Sequence, residues 1–89
     1  MKAIVTVVGM DRVGIIGEVC TALAGLSINI VDISQTVMQE FFTMIMLVDT
    51  TACQKSFDEI AEILAAKEQE MGLSIRIQRQ DIFQAMHRI

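Results

Sequence analysis

The chain has 89 residues, a net charge of −4, two cysteines, no proline and 53% hydrophobic residues. That length sets one domain as the expectation. The acidic balance argues against nucleic acid as the main partner, and no apolar run reaches the length of a membrane span. So short a chain buries only about 60–65% of its unfolded surface by itself, so the high apolar content points to a self-association surface. Cys20 and Cys53 fit no metal or redox spacing; a reducing, cytoplasmic setting is expected, with no cofactor and no metal. The chain opens directly into a strand-like run, and no signal peptide is read there.

Residues 2–9 read as a first strand, apolar on both faces, as suits a central strand covered on two sides. The stretch Gly9-Met10-Asp11-Arg12-Val13-Gly14 then turns the chain into a helix of about Val13 to Ala24. Its expected buried stripe is Ile16, Val19, Cys20 and Leu23, at i, i+3, i+4, i+7 spacing, with Gly25 as its C-cap. Residues 28–39 are the second strand. Plain alternation places Val31, Ile33 and Val37 on one face and Ile30, Asp32, Ser34, Thr36 and Met38 on the other. No Asn-Gly or Gly-Gly pair marks the turn into strand three, residues 41–49, whose faces are again both apolar.

Ser56-Phe57-Asp58-Glu59 has the spacing of a capping box and opens a second helix of about 55–71, with Phe57, Ile60, Ala61, Leu64 and Met71 inward and Glu68 on the solvated face. Gly72 ends it. Strand four alternates cleanly, Leu73, Ile75 and Ile77 against Ser74, Arg76 and Gln78. Ile82, Phe83, Met86 and Ile89 form the apolar edge of a short terminal helix. The order β-α-β-β-α-β is the split βαβ, ferredoxin-like pattern: an α+β fold with a four-stranded antiparallel sheet and two helices on one face. Residues 1–81 form the domain. Residues 82–89 are a helical extension packed on the same domain or on its dimer partner.

The loop before helix one is the candidate site. A glycine-bearing loop feeding a helix N-terminus presents free N–H groups to a small anion; it also reads as a plain β-α turn. Asp11 suits a helix N-cap. The loop is neither a dinucleotide fingerprint nor a P-loop, because Gly-x-Gly-x-x-Gly and Gly-Lys-Ser/Thr are absent.

With its element order, its Gly9-x-Asp11-Arg12-x-Gly14 loop and its Gly25-x-x-Ile28-Asn29-Ile30 connection, the chain resembles the ACT domain, a small regulatory module attached to many enzymes of amino-acid metabolism. Val13 stands where the family commonly has proline. The length and the ending Asp81 to Ile89 resemble the UPF0237 group of single-domain ACT proteins, and the chain is also similar to the ACT regions of the glycine-cleavage repressor and of formyltetrahydrofolate deformylase. The resemblance implies a homodimer that binds a small effector, an amino acid, and acts on a regulated enzyme or regulator. It implies that Met10, Asp11, Arg12, Val13, Gly14 and Ile15 cup the effector, with Asn29 reaching it from the neighbouring chain. Loop N–H groups and Arg12 would take the carboxylate; Asp11 or the Asn29 amide oxygen would take the ammonium. Asn29 reads equally as a turn residue that tolerates an unusual backbone angle.

Nothing in the residue pattern supports an enzyme. His87 is the one histidine and has no motif neighbours, the serines lack a base at a known spacing, and Asp11, Asp32 and Asp49 lack the run of oxygen ligands a cation needs. An alternative reading is a protein–protein dimerisation module without a ligand. A third, a repressor-like regulator, would need Arg76, Arg79 and Arg88 on one basic face.

Overall fold

The computed structural model describes residues 1–80. The expected terminal helix and the rest of residues 81–89 lie outside the described residues. The order is β1 (Lys2–Met10), α1 (Ile15–Gly25), β2 (Asn29–Met38), β3 (Phe41–Asp49), α2 (Phe57–Met71) and β4 (Ser74–Arg79). All pairings in the sheet are antiparallel, in the spatial order β2-β3-β1-β4. This is the ferredoxin-like arrangement, with the two central strands the most apolar ones.

The core lies between the helices and one face of the sheet. Ala3, Val5 and Val7 of β1 and Phe42, Met44, Met46 and Val48 of β3 alternate inward and are buried. They meet Ile15, Val19 and Leu23 from α1, Ile60 and Leu64 from α2, and Leu73 and Ile75 at β4. Each large side chain buried this way contributes on the order of 1.5–3 kcal/mol. Gly9 leaves room for Leu73: a Cβ there would force the terminal methyl of the buried Leu73 side chain to move. Among the described residues no helix is long and apolar enough to cross a membrane.

Four local readings need correction. The buried stripe of α1 is Ile15, Val19 and Leu23; Ile16 is 37% exposed and Cys20 only half-buried. Val19 and Leu23 keep the expected inward face, and Ile15, four residues before Val19, takes the place expected of Ile16. Gly25 is the last helical residue and does not cap α1. Ser27 takes the left-handed position at φ 58. The Ile28 N–H returns to the Leu23 carbonyl at 3.0 Å and the Ser27 N–H to that of Ala24 at 2.9 Å, a Schellman closure. In β2, a register shift between Ile30 and Asp32 sets Ile30 opposite Val48 and Asp32 opposite Leu47. This bulge resets the alternation, so Ile30 joins Ile33 and Val37 on the helix side. Finally, Glu68 is not a solvent-facing charge: its Oε1 accepts from the Ile75 N–H at 2.7 Å and holds the edge strand β4 to α2.

Elsewhere the local signals hold. The Ser56–Glu59 capping box is closed in both directions, with bonds of 3.0 and 3.2 Å. Gly72 caps α2 at φ 67. The β2–β3 reversal is a two-residue turn with Gln39 at φ 57, a conformation that carried no glycine signal.

Candidate functional site

The β1–α1 loop sits where β1 leaves the middle of the sheet. Met10 still pairs with Phe41. The Asp11 N–H then donates to the Glu40 carbonyl at 2.7 Å, which pins the loop to the tip of the β2–β3 hairpin. Asp11 is not the cap of α1. The N-cap is Gly14, at φ 91 and ψ 0, and no side chain bonds to the first turn. Left-handed backbone favours glycine because a Cβ costs energy there. The start of α1 therefore keeps its N–H groups unpaired by any side-chain cap, and space is open at Gly14, where a Cβ would meet nothing within 4 Å.

Arg12 has the largest share of the loop's polar contacts. Its Nη1 and Nη2 donate to the two carboxylate oxygens of Glu18 at 3.0 and 2.9 Å, and Nη2 also donates to the Met71 carbonyl at 3.0 Å. The second contact lies at the C-terminal end of α2, where a cation is favoured by the helix dipole. One guanidinium thus ties the loop to both helices. The Arg12 hydrogen bond holds the Glu18 carboxyl below the usual carboxylate range, and the same bond raises Arg12. Both groups are solvent-facing, so the pair is worth little as stability. Its effect is to fix the loop's shape.

Val13 at the loop tip is 99% exposed. Ile15, by contrast, is a core residue at 2% exposure; its side chain anchors the site from below and offers only its backbone N–H. Asn29 lies at the other end of the sheet. It pairs with Asp49, which in turn pairs with Lys2, while the loop follows Met10. A strand of that length spans about 27 Å at roughly 3.4 Å per residue. Within one protomer, Asn29 and the loop are therefore not brought together.

Beside the loop a groove of about 750 Å³ runs between the outer faces of α1 and α2. The N-cap Gly14 and the small residues Gly17, Thr21 and Gly25 of α1 form one wall; Ile63, Lys67 and Met71 of α2 form the other. Sequence reading missed this groove, and it missed Glu18 and Met71 as partners of Arg12. Small residues at helical spacing are its only local trace. Arg12 and Met71 are 59 positions apart, a separation no local pattern reports.

Comparison with known proteins places the fold among solved and curated relatives. Residues 2–78 match the ACT domain. A UPF0237 protein of Clostridium acetobutylicum is 53% identical over 89 residues, covering the whole of both chains. The solved structure of an ACT domain protein from Streptococcus pneumoniae has a TM-score of 0.83 at 42% identity and covers 98% of each chain. The regulatory subunit of aspartate kinase from Thermus thermophilus, in its ligand-free form, has a TM-score of 0.66 at 25% identity, over 86% of this chain and 50% of that one.

Proposed function

This chain belongs to the ACT domain family, in its UPF0237 group, and from that membership we propose that it is a non-catalytic regulatory module that binds an amino acid as a cytoplasmic homodimer. The observation that carries the reading is the start of α1. Gly14 opens the helix in left-handed geometry with no side-chain cap, directly after a loop braced on three sides. An α-carboxylate suits such an end, because the first-turn N–H groups and the helix dipole both favour a small anion. The ligand-free regulatory subunit of aspartate kinase, similar in fold, supports a regulatory reading of this architecture.

In this reading Met10, Asp11, Arg12, Val13, Gly14 and Ile15 form the near wall. Arg12, already bonded to Glu18 and Met71, positions the loop more than it binds the carboxylate. The Asp11 carboxylate takes the ammonium together with Asn29 of a second copy. The edge strand β2 is the surface through which that copy approaches. It is long and its apolar side chains Val31, Ile33 and Val37 are 41–51% exposed. An edge without lysine or proline pairs readily with another strand. Two antiparallel β2 strands set the start of one beside the end of the other, which brings Asn29 towards the opposite loop. The regulated partner is a metabolic enzyme or a regulator.

One observation favours a second reading, a dimerisation module without a ligand: the guanidinium of Arg12 is already occupied within the chain. Thermal denaturation in the presence of each of the twenty amino acids separates the two. A ligand bound only by the folded form raises stability by RT ln(1 + [L]/Kd), about 2.7 kcal/mol at a hundredfold excess over Kd. A rise with one chemical class of amino acid supports the effector reading; twenty unchanged melting curves favour the second.

A further inference from the structure

The sheet has two edges, β2 on one side and β4 on the other, and the backbone groups of an edge are a template for another strand. In an antiparallel pair each residue turns its N–H and carbonyl to the same side, and its neighbours turn theirs to the other. The Ile75 N–H points away from β1 and donates to the Glu68 carboxylate at 2.7 Å. The outward donors on either side of it are therefore those of Leu73 and Ile77. The Leu73 N–H donates to the Glu68 carbonyl at 3.3 Å. One residue of α2 thus takes two successive donors along the β4 edge, one with its carbonyl and the other with its carboxylate.

That carboxylate is held in place. The Glu68 side chain is 23% exposed, and Arg76 Nε lies 3.9 Å from the same oxygen. A strand adding to β4 would have to push it off Ile75 and leave a half-buried carboxylate without its donor, which is costly. The β2 edge differs. There the Ile33 N–H donates to the carboxylate of the exposed Asp32 at 2.8 Å, a contact within the strand that turns aside into water without disturbing the packing. The two edges also differ in length, ten residues in β2 against six in β4.

We propose that Glu68 closes β4 to strand addition, so that pairing through sheet edges ends at two copies joined along β2. The strand it excludes is the β4 of a further copy, the one edge left once both β2 strands are paired. The count of two rests on the β2 reading given above; the closure of β4 does not.

Light scattering on the full chain over a wide concentration range tests this. Glu68→Ala is expected at least to double the mass of the parent at the highest concentrations. Glu68→Gln, whose amide oxygen still accepts from the Ile75 N–H, is expected to keep the parent's mass. A folded alanine variant that matches the parent throughout overturns the proposal, as does a glutamine variant that assembles like the alanine one. The Ile33→Lys, Val37→Lys background separates the two readings. A background that is not monomeric counts against the β2 edge alone, and Glu68→Ala within it is still expected to double the mass. Amide exchange of the unmodified protein needs no variant: the Ile75 amide is expected to exchange at least tenfold more slowly than that of Ile77. Equal rates at the two positions overturn the proposal.

Discussion

Arg12 and Glu18 are joined by a two-pronged bond, both carboxylate oxygens accepting from the guanidinium at 3.0 and 2.9 Å. The pair closes the β1–α1 loop on the first turn of α1, and the further bond to the Met71 carbonyl carries that closure to α2. The shape of the candidate site is thus set by a residue whose own charge is already satisfied. Replacing Arg12 with Ala is expected to change stability little, as for an exposed pair. It is expected to weaken effector binding at least tenfold, because the loop loses its brace. Chemical denaturation and a binding titration on the same variant check the two effects separately.

The pH dependence follows from the same pair. The folded Glu18 carboxyl is depressed by its hydrogen bond from Arg12, and the carboxyl of Glu59 by the backbone N–H of Ser56. A depressed carboxyl contributes stability above its unfolded value and loses it as pH falls through the folded value. The melting temperature should therefore fall as pH is lowered from the unfolded carboxylate range. Glu18→Gln should lower the melting temperature slightly at neutral pH and flatten the decline by the same amount, so that the variant and the parent converge at acidic pH. Melting curves taken between neutral and acidic pH measure both.

Gly14 and Gly17 should respond oppositely to alanine. A Cβ meets nothing within 4 Å at either position, but only Gly14 has a left-handed backbone, at φ 91. Gly14→Ala is expected to cost about 1–2 kcal/mol through backbone strain alone. Gly17→Ala, inside the helix, is expected to stabilise by roughly 0.5–1 kcal/mol. Denaturant midpoints of the two variants decide this.

Self-association should run through the β2 edge. The chain is expected to elute at about twice its 9.9 kDa mass, and Ile33→Lys with Val37→Lys is expected to elute as a monomer. Mixing supplies the functional counterpart. Asn29→Ala dimers and Gly14→Val dimers each fail to bind effector, yet subunit exchange between them restores binding, because one site of the mixed dimer has both intact halves. No recovery after exchange would contradict a site shared between the loop of one chain and Asn29 of the other.

The element order and the inward face of β4 were legible because alternation and helical spacing are local signals, whereas β1 and β3 are apolar on both faces and alternation alone does not say which face meets the helices. The Ser56–Glu59 box and Gly72 were legible for the same reason. The β2 faces were misread because one extra residue between Ile30 and Asp32 is invisible in the composition of the strand. Asp11 had the residue type of a cap, but Gly14 follows it and starts the helix three positions later. The left-handed Ser27 and Gln39 carry no glycine signal. At the site, Gly14 and the loop were readable from the motif, whereas the Arg12 brace depends on where α2 ends in space.

The central claim, that the start of α1 receives an amino-acid carboxylate, is tested most directly by backbone amide resonances of the protein titrated with each amino acid. The account predicts saturable shifts of the Ile15, Ile16 and Gly17 amides with one chemical class of amino acid, while the amides of Ile63 and Lys67 across the groove stay in place. No response of the first-turn amides to any of the twenty would contradict it.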